Sequence, residues 1–312
     1  MKIVFMGTPL AAAKSLDRLI ADDHQVVAVY TQPDRPAGRG KKISQSPVKQ
    51  LALEHDLPVF QPTKLRTEEA VVTFRSNNAD MAVVVAYGRI LPEGFLHAFP
   101  FGAVNVHFSL LPKYRGAAPV NWAIVNGETE TGVTIMKMDA GLDTGDILLQ
   151  RSTPVGEDET AVELMQRLGN LGAEVLSESL SLIDTLIPQS QNHQKASYAP
   201  ILTKDDGLLD WTMTAGAISN RVRGFQPFPT SYTFLDGSRI TIWKAAPTKV
   251  QTTQHPPGMV LEALGDVMTI ACGAGTRLSI TEIQPEGKRR MATRDFLNGS
   301  KLTAGKILGK PQ

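Results

Sequence analysis

Three polar side chains could perform chemistry at one edge of a predicted sheet. Asn105 and His107 stand two positions apart at the end of the run Ala103–His107, so on an extended strand they project from one face. Ligands of open α/β sheets bind outside the carboxyl ends of the strands. Asp143 follows in a glycine-rich loop. An amide, an imidazole and a carboxylate can donate hydrogen bonds and move protons, so these residues form a candidate active site.

Each of these residues also has a common structural explanation. A histidine at a strand end is more often a satisfied structural residue, and an aspartate in a glycine-rich loop is more often a turn former. The run that follows His107 favours a function, because residues 108–119 combine apolar side chains with the cations Lys113 and Arg115 in one long loop. Such a loop is costly unless it shapes a pocket.

The first half of the chain predicts the sheet that would position this site. Short β-branched runs alternate with helical patterns, which is typical of an open, mostly parallel Rossmann-like sheet with helices on both faces. The run Val83–Val85 is apolar without alternation, so we expect a central strand there. The predicted strands are Lys2–Phe5, Gln25–Tyr30, Met81–Ala86 and Ala103–His107, and the predicted helices are Pro9–Ala21, Pro47–Glu54 and Thr67–Asn77.

Further elements frame the loop that carries Asp143. Residues 132–138 and 146–150 are predicted strands on its two sides. A long helix is expected to begin at Thr160, because Thr160 and Glu163 have the spacing of a capping box. This helix would close the first domain.

The second part of the chain predicts a smaller domain. Polar residues with little periodicity indicate a linker at 189–207. About five short strands follow, two of them joined by the turn Asp236-Gly237, which is a strong hairpin signal. They indicate a small β-barrel, similar to the oligonucleotide-binding fold. We therefore expect domains at 1–188 and 208–312.

Composition narrows the classes of protein that the chain can belong to. The longest apolar run, Met81 to Tyr87, is too short to cross a bilayer, and the N-terminus has no signal-peptide core. We therefore expect a cytoplasmic protein. The single cysteine, Cys272, is expected to be buried in an apolar strand, and we predict no metal site.

Charge is unevenly distributed along the chain. Residues 1–207 hold 19 Lys and Arg against 24 Asp and Glu, whereas residues 208–312 hold 13 against 7. A basic C-terminal third suggests an anionic partner, with nucleic acid as the leading candidate. A merely solvated basic face is the alternative.

Several separated motifs now combine with the candidate site. They are Asn-x-His at 105–107, Ser-Leu-Leu-Pro at 109–112, Tyr-Arg-Gly at 114–116 and Asp-x-Gly-Leu-Asp-Thr-Gly-Asp at 139–146. In this order and spacing they resemble the formyl-tetrahydrofolate-dependent formyltransferases. Residues 31–42 and the domain after Leu208 narrow the resemblance to the members that act on methionyl-tRNA, along essentially the whole chain.

The resemblance implies a reaction and roles for the three site residues. The formyl group of 10-formyltetrahydrofolate would pass to the α-amino group of methionyl initiator tRNA. Asn105 would donate a hydrogen bond to the oxyanion. His107 would stabilise the same oxygen or deliver a proton, and Asp143 would orient the imidazole and raise its pKa. Which group moves each proton stays open.

The resemblance also implies binding residues. Ser109, Leu110, Leu111 and Pro112 would contact the folate, and the Ile90-Leu91 loop would line the pterin pocket. The alternative for the two leucines at 110 and 111 is ordinary core packing. The nucleic-acid contacts would be Arg39, Lys41 and Lys42, together with the basic run Lys288-Arg289-Arg290. The protein would act as a monomer.

Two other functions compete with this interpretation. A sister formyltransferase that acts on a small ribonucleotide or sugar-nucleotide amine would share the same three site residues. A tRNA-binding module with an inactive catalytic domain would fit the charge asymmetry. Phe108, which stands where the family usually has glycine, favours this second alternative. Neither Phe108 nor Leu10-Ala11, which replaces an acidic-aromatic pair, removes a proposed catalytic group.

Overall fold

The chain folds into two compact units. The computed structural model describes residues 1–37, 42–249 and 253–309. Unit 1 comprises Met1–Pro119, Glu130–Pro154 and Leu164–Pro200, and unit 2 comprises Val120–Thr129, Val155–Glu163 and Ile201–Gln312. The limits 1–188, 189–207 and 208–312 stay a prediction about which segments fold independently.

A seven-stranded sheet forms the centre of unit 1. The strands described in this unit are β1 (Lys2–Gly7), β2 (Gln25–Tyr30), β3 (Arg35–Ala37), β4 (Lys42–Ser44), β5 (Val59–Phe60), β6 (Met81–Val85), β7 (Ala103–His107), β8 (Arg115–Gly116), β9 (Glu130–Lys137), β10 (Ile147–Pro154) and β11 (Tyr198–Ala199). The central sheet has the order β10, β9, β7, β6, β1, β2, β5. Strands β3 and β4 pair with each other, and β8 pairs with β11.

The predicted sheet class is confirmed. Strand β1 pairs in parallel with β2 and β6, β6 with β7, and β2 with β5, whereas β9 and β10 complete the sheet in the antiparallel sense. All of β6 is buried between β1 and β7, which explains why the run Val83–Val85 is apolar on both faces. Strand β7 therefore pairs with the buried centre of the sheet.

Six α-helices are described in the first two hundred residues. They are α1 (Leu10–Ala21), α2 (Pro47–Glu54), α3 (Glu68–Arg75), α4 (Glu93–Leu96), α5 (Pro119–Val125) and α6 (Ala161–Ser181). Helices α1, α2, α3 and α6 begin within one residue of their predicted starts, whereas α4 and α5 were not predicted. The predicted capping box before α6 is confirmed, because Thr160 N donates to Glu163 Oε2 over 2.9 Å and Glu163 N donates to Thr160 Oγ1 over 3.3 Å. The helix ends at Ser181.

Unit 2 contains an antiparallel sheet of short strands, consistent with the predicted small barrel-like domain. Its described helices and strands after residue 201 are α7 (Ala215–Gly224), β12 (Ser231–Leu235), β13 (Ser238–Pro247), β14 (Val260–Leu264), β15 (Val267–Ala271), β16 (Arg277–Pro285), β17 (Met291–Ala292) and α8 (Thr293–Asn298). The hairpin predicted at Asp236-Gly237 is confirmed, since both residues have positive φ and join β12 to β13.

Alternation explains the core of unit 2. Ile240 and Ile242 of β13, Ile280 of β16 and Ile270 of β15 belong to one buried cluster with Cys272, which is buried as expected. Burial raises the pKa of the Cys272 thiol to about 12. In the described part of the chain, no helix has both the length and the apolar character that a membrane crossing requires.

Candidate active site

His107 ends strand β7 and is held by a backbone group. It is 5% exposed, and its Nε2 lies 2.9 Å from the carbonyl oxygen of Tyr114. A carbonyl oxygen can only accept a hydrogen bond, so Nε2 carries the proton. In the neutral imidazole Nδ1 is therefore the nitrogen with a free lone pair.

Asp143 faces that free nitrogen. Its Oδ2 lies 3.7 Å from His107 Nδ1 and accepts a hydrogen bond from the backbone N–H of Gly116 over 2.8 Å. The distance to the imidazole exceeds a normal hydrogen bond, so the carboxylate acts on the ring by its charge. Asp143 has a φ of 51°, a strained conformation that aspartate tolerates better than most residues.

The expected effect of Asp143 on the pKa of His107 is present, but burial has a larger and opposite effect. Burial lowers the pKa of His107 below its ordinary value of 6.5, while the nearby charge of Asp143 and the Tyr114 carbonyl raise it by less. The predicted effect of Asp143 is thus present, but desolvation outweighs it. The lowered pKa favours the neutral imidazole, whose Nδ1 can act as a base.

Asn105 lies on the same strand as His107. Its side chain is half-buried, and its backbone pairs with Val84 of β6 and Met136 of β9. Within residues 1–37, 42–249 and 253–309, its amide has no hydrogen-bond partner. A polar group on the face of β7 is thus available to a ligand.

The run after His107 is fastened to strand β9. Thr134 accepts a hydrogen bond from Leu111 N over 3.1 Å and donates one to Ser109 O over 2.6 Å. Ser109 Oγ donates to the carbonyl of Lys113 over 2.6 Å. Ser109 and Leu111 are buried, so their first role is to build the loop.

Leu110 and Pro112 are more accessible than their two neighbours. Both are half-buried, and Leu110 lies against β9 at Gly132. A Cβ at Gly132 would stand 2.6 Å from Leu110 Cδ2 and 2.2 Å from the carbonyl oxygen of Arg151. Glycine is therefore required there for the loop to approach the sheet.

Phe108 does not occupy the face of the three candidate catalytic residues. Its side chain is buried and points towards helix α6, where a Cβ on Gly172 would stand 3.2 Å from Phe108 Cε1 and 3.0 Å from Val106 Cγ1. The absence of a side chain at Gly172 leaves room for the ring. The phenylalanine at 108, where the family usually has glycine, thus packs between the sheet and helix α6.

The predicted pterin loop divides into two kinds of residue. Ile90 is 75% exposed and lines a cavity of about 340 Å³ with Arg89 and Lys64, whereas Leu91 belongs to the apolar core. A neighbouring cavity of about 470 Å³ opens over Tyr30 and over other residues near the ends of β2 and β5. None of the three candidate catalytic residues lines either of these two cavities.

The predicted nucleic-acid loop is described only at its base. Arg39 and Lys41 lie outside the described residues, and Lys42 belongs to β4 without a described side chain. Below this loop, Lys49 Nζ lies 2.6 Å from Asp34 Oδ2 and 2.9 Å from Gln61 Oε1. The ion pair between Asp34 and Lys49 therefore joins the residues that precede and follow this loop.

Two functional groups were missed at the level of sequence because they belong to the backbone. The carbonyl of Tyr114 fixes the proton on His107, and the N–H of Gly116 holds the carboxylate of Asp143. The sequence signal for both groups is the motif Tyr-Arg-Gly at 114–116, which contributed to the family resemblance but was assigned no role in the site.

Comparison with known proteins agrees with this geometry. The model for formyl transferases matches residues 1–180, and the model for the formyl transferase C-terminal domain matches residues 201–301. The methionyl-tRNA formyltransferase of Geobacter sulfurreducens is 48% identical and covers 99% of this chain and 97% of its own. The methionyl-tRNA formyltransferase of Caldanaerobacter subterraneus is 50% identical and covers 99% and 100%.

A solved structure shares the fold at lower identity. The N-formyltransferase from Helicobacter canadensis, in complex with folinic acid and dTDP-3-aminofucose, matches with a TM-score of 0.68 and 20% identity, over 91% of this chain and 99% of that one. The fold, the order of the motifs and the near-complete relatives lead to one assignment. The chain belongs to the formyl transferase family.

Proposed function

We propose that this protein transfers the formyl group of 10-formyltetrahydrofolate to the α-amino group of methionyl initiator tRNA and so supports translation initiation. The observation that carries the proposal is the extent of the match: relatives named methionyl-tRNA formyltransferase align over 99% of the chain, across both units. Translation initiation takes place in the cytoplasm, so the protein would act there, as a monomer.

His107 is the proposed proton carrier. Its Nδ1 lone pair would take a proton from the amine as the new bond between that amine and the formyl carbon forms. The resulting imidazolium would face the Asp143 carboxylate, 3.7 Å away, which favours the charged ring. His107 would then give the proton to the folate nitrogen as the bond from that nitrogen to the formyl carbon breaks, so protons and bonds balance.

Asn105 is the proposed oxyanion donor. Its amide lies on the same strand as His107 and, in the described part of the chain, lacks a protein partner. Such a donor contributes about 2.7 to 4 kcal/mol to transition-state stabilisation. Its substitution by leucine should lower kcat while leaving the KM for both substrates unchanged.

The folate donor would lie along the loop after β7. Leu110 and Pro112, which are half-buried, are the better candidates for direct contact in the predicted set, whereas Ser109 and Leu111 would support them from below. Exposed Ile90 supports a pterin contact. The chain offers these residues for binding and orienting the donor, and the formyl group is the donor's own contribution.

The tRNA would bind through Arg39, Lys41 and Lys42 and through the basic residues of unit 2. Phosphate contacts make affinity fall steeply with salt. Arg39→Ala should therefore raise the KM for tRNA and flatten its salt dependence, with folate binding unchanged. Equal kinetics for variant and parent across a salt series would remove Arg39 from this role.

An acceptor assay tests the proposal against its rivals. The enzyme is incubated with 10-formyltetrahydrofolate and either charged initiator tRNA or a series of small amines. Formyl-methionine on tRNA is the expected product. A sugar-nucleotide or ribonucleotide amine as the preferred acceptor would instead support the sister activity, which is favoured by the fold neighbour crystallised with dTDP-3-aminofucose.

The inactive binding module is tested by substituting His107. His107→Ala should abolish turnover and leave tRNA affinity unchanged. A parent protein that binds tRNA and shows no transfer with an active donor would favour the module over the enzyme.

A further inference from the structure

Gln191 lies in the segment that the sequence predicts to be a linker, yet it is buried. Its Nε2 donates hydrogen bonds to the carbonyl oxygen of Asp143 over 2.9 Å and to that of Gly145 over 2.7 Å. One amide group therefore holds two backbone positions of the loop that presents the Asp143 carboxylate.

The other end of the same amide holds the loop that follows His107. Gln191 Oε1 accepts from Arg115 Nε over 3.1 Å and from Arg115 Nη2 over 2.6 Å. Arg115 is 2% exposed, and its Nη2 also lies 3.2 Å from His193 Nδ1. Within the described ranges the guanidinium has no carboxylate partner, so Gln191 supplies its main acceptor.

Arg115 sits between the two backbone groups that build the site. Tyr114 provides the carbonyl that holds His107, and Gly116 provides the N–H that holds Asp143. The segment after Gln191 adds to this support, because Ser197 accepts hydrogen bonds from the backbone N–H groups of Tyr114 and Arg115. The histidine loop and the aspartate loop are thus joined through one buried side chain.

We propose that Gln191 is a positioning residue for formyl transfer, because it fixes the Asp143 carboxylate relative to His107 Nδ1 by tying the Asp143 loop to Arg115. This inference rests on the proposed function. The Asp143 backbone is strained, with a φ of 51°, and such a conformation persists only where neighbours hold it. Without the two donors of Gln191, the loop loses two of the hydrogen bonds that hold its backbone there.

The substitution Gln191→Glu separates positioning from folding. Glutamate keeps an oxygen for Arg115 and gives that buried cation a counter-charge, which offsets part of the cost of the two lost hydrogen bonds, and the melting temperature shows whether the fold is kept. It lacks both N–H donors and turns an oxygen towards the carbonyls of Asp143 and Gly145. The kcat should fall on the order of 10- to 10²-fold, with KM for tRNA and donor unchanged, because a small misplacement of a reacting group is costly.

Ser190→Ala is the matched control. Ser190 precedes Gln191 and donates a hydrogen bond to Asp146 Oδ1 over 2.9 Å, so the variant removes a contact between the same segment and the same loop without touching Asp143 or Arg115. Its kcat should equal that of the parent. A general loosening of the segment would instead lower kcat in both variants, and that result would overturn the specific role of Gln191.

The outcomes separate this inference from the proposed function. A parent without formyl transfer to any acceptor refutes the function, whereas an active parent with an equally active Gln191→Glu variant refutes the positioning role. If glutamate prevents folding, Gln191→Asn decides the matter, because it retains the amide but is too short to reach both loops. Lower kcat at unchanged KM then supports the role, and parental kcat overturns it.

Discussion

His107 and Asp143 meet through one nitrogen: 3.7 Å separates Nδ1 from the carboxylate oxygen, while the opposite nitrogen is committed to the carbonyl of Tyr114. Nε2 therefore keeps its proton, and Nδ1 is the ring nitrogen that can accept one. The distance is too long for a hydrogen bond, so the Asp143 carboxylate interacts with the ring electrostatically.

Removing the charge of Asp143 should slow the chemical step. In Asp143→Asn the remaining oxygen can still accept from Gly116, but the imidazolium loses its counter-charge. We expect kcat to fall on the order of 10²- to 10⁴-fold with little change in KM. Asp146→Asn, three residues further along, is the control and should retain parental kcat. Similar steady-state rates for both variants would contradict the role of Asp143.

The rate of transfer should depend on pH through His107. Burial lowers its pKa below 6.5, and neutral Nδ1 is the active form, so kcat/KM should be constant near neutral pH and fall as the pH drops through this lowered pKa and the ring becomes protonated. Asp143 raises this pKa, so in Asp143→Asn the acid limb of the profile should move to lower pH. A limb that moves to higher pH would contradict this assignment.

The same histidine should make stability depend on pH. Between its lowered pKa in the folded chain and 6.5 in the unfolded chain, the unfolded state binds more protons, so the free energy of unfolding falls as pH falls. His107→Gln should weaken this dependence below pH 6.5. Urea titrations of parent and variant at several pH values measure it, and identical slopes would exclude the contribution of His107.

Phe108 should matter for stability and little for catalysis. Phe108→Ala removes a buried ring and should cost about 3 to 5 kcal/mol in the free energy of unfolding, with the KM for the folate donor unchanged. Gly172→Ala crowds Phe108 and Val106, so it should destabilise the parent by about 1 to 3 kcal/mol.

A double-mutant cycle of Phe108→Ala and Gly172→Ala isolates their contact. The added methyl should cost less once the ring is gone, so the two effects should not add. Strict additivity in chemical denaturation would show that the ring does not pack against Gly172.

The basic turn at Lys288-Arg289-Arg290 in unit 2 should contribute to tRNA affinity by its charge alone. Lys288 and Arg289 are exposed, whereas Arg290 is engaged with Glu282 and lies over the ring of Trp243. Lys288→Ala and Arg289→Ala should each raise the KM for tRNA and reduce its logarithmic salt slope by about 1. Lys195→Ala, an exposed cation of unit 1, is the control. Unchanged salt slopes would remove this turn from the interface.

The sheet could be predicted because a strand that is buried on both faces needs apolar residues at consecutive positions, and this pattern is visible in the sequence. Strand β6 is apolar at consecutive positions, and β7 ends in two polar residues at period-2 spacing. Asn105 and His107 could therefore be placed on one strand face from residue types alone. The hairpin at Asp236-Gly237 was predictable for a similar reason, since few residues adopt positive φ at both positions.

The hydrogen bonds that complete the site could not be predicted from a residue pattern. Tyr114 contributes a carbonyl and a φ of 61°, which a tyrosine does not favour. Gln191 and Ser197 lie in a polar stretch whose composition resembles a solvated linker, because the groups that they satisfy are backbone groups of distant loops. Composition reports that a side chain is polar and does not report where its partner lies.

The hydrogen bond from His107 to Tyr114 has a consequence for how the site tolerates mutation. Because the acceptor is a main-chain oxygen, no single replacement of the residue 114 side chain can delete it. A variant such as Tyr114→Asn, which adopts positive φ readily, would keep the same proton on the same nitrogen. The choice of tautomer is therefore encoded in the course of the backbone, and it does not depend on which side chain stands at position 114 as long as the backbone keeps its conformation.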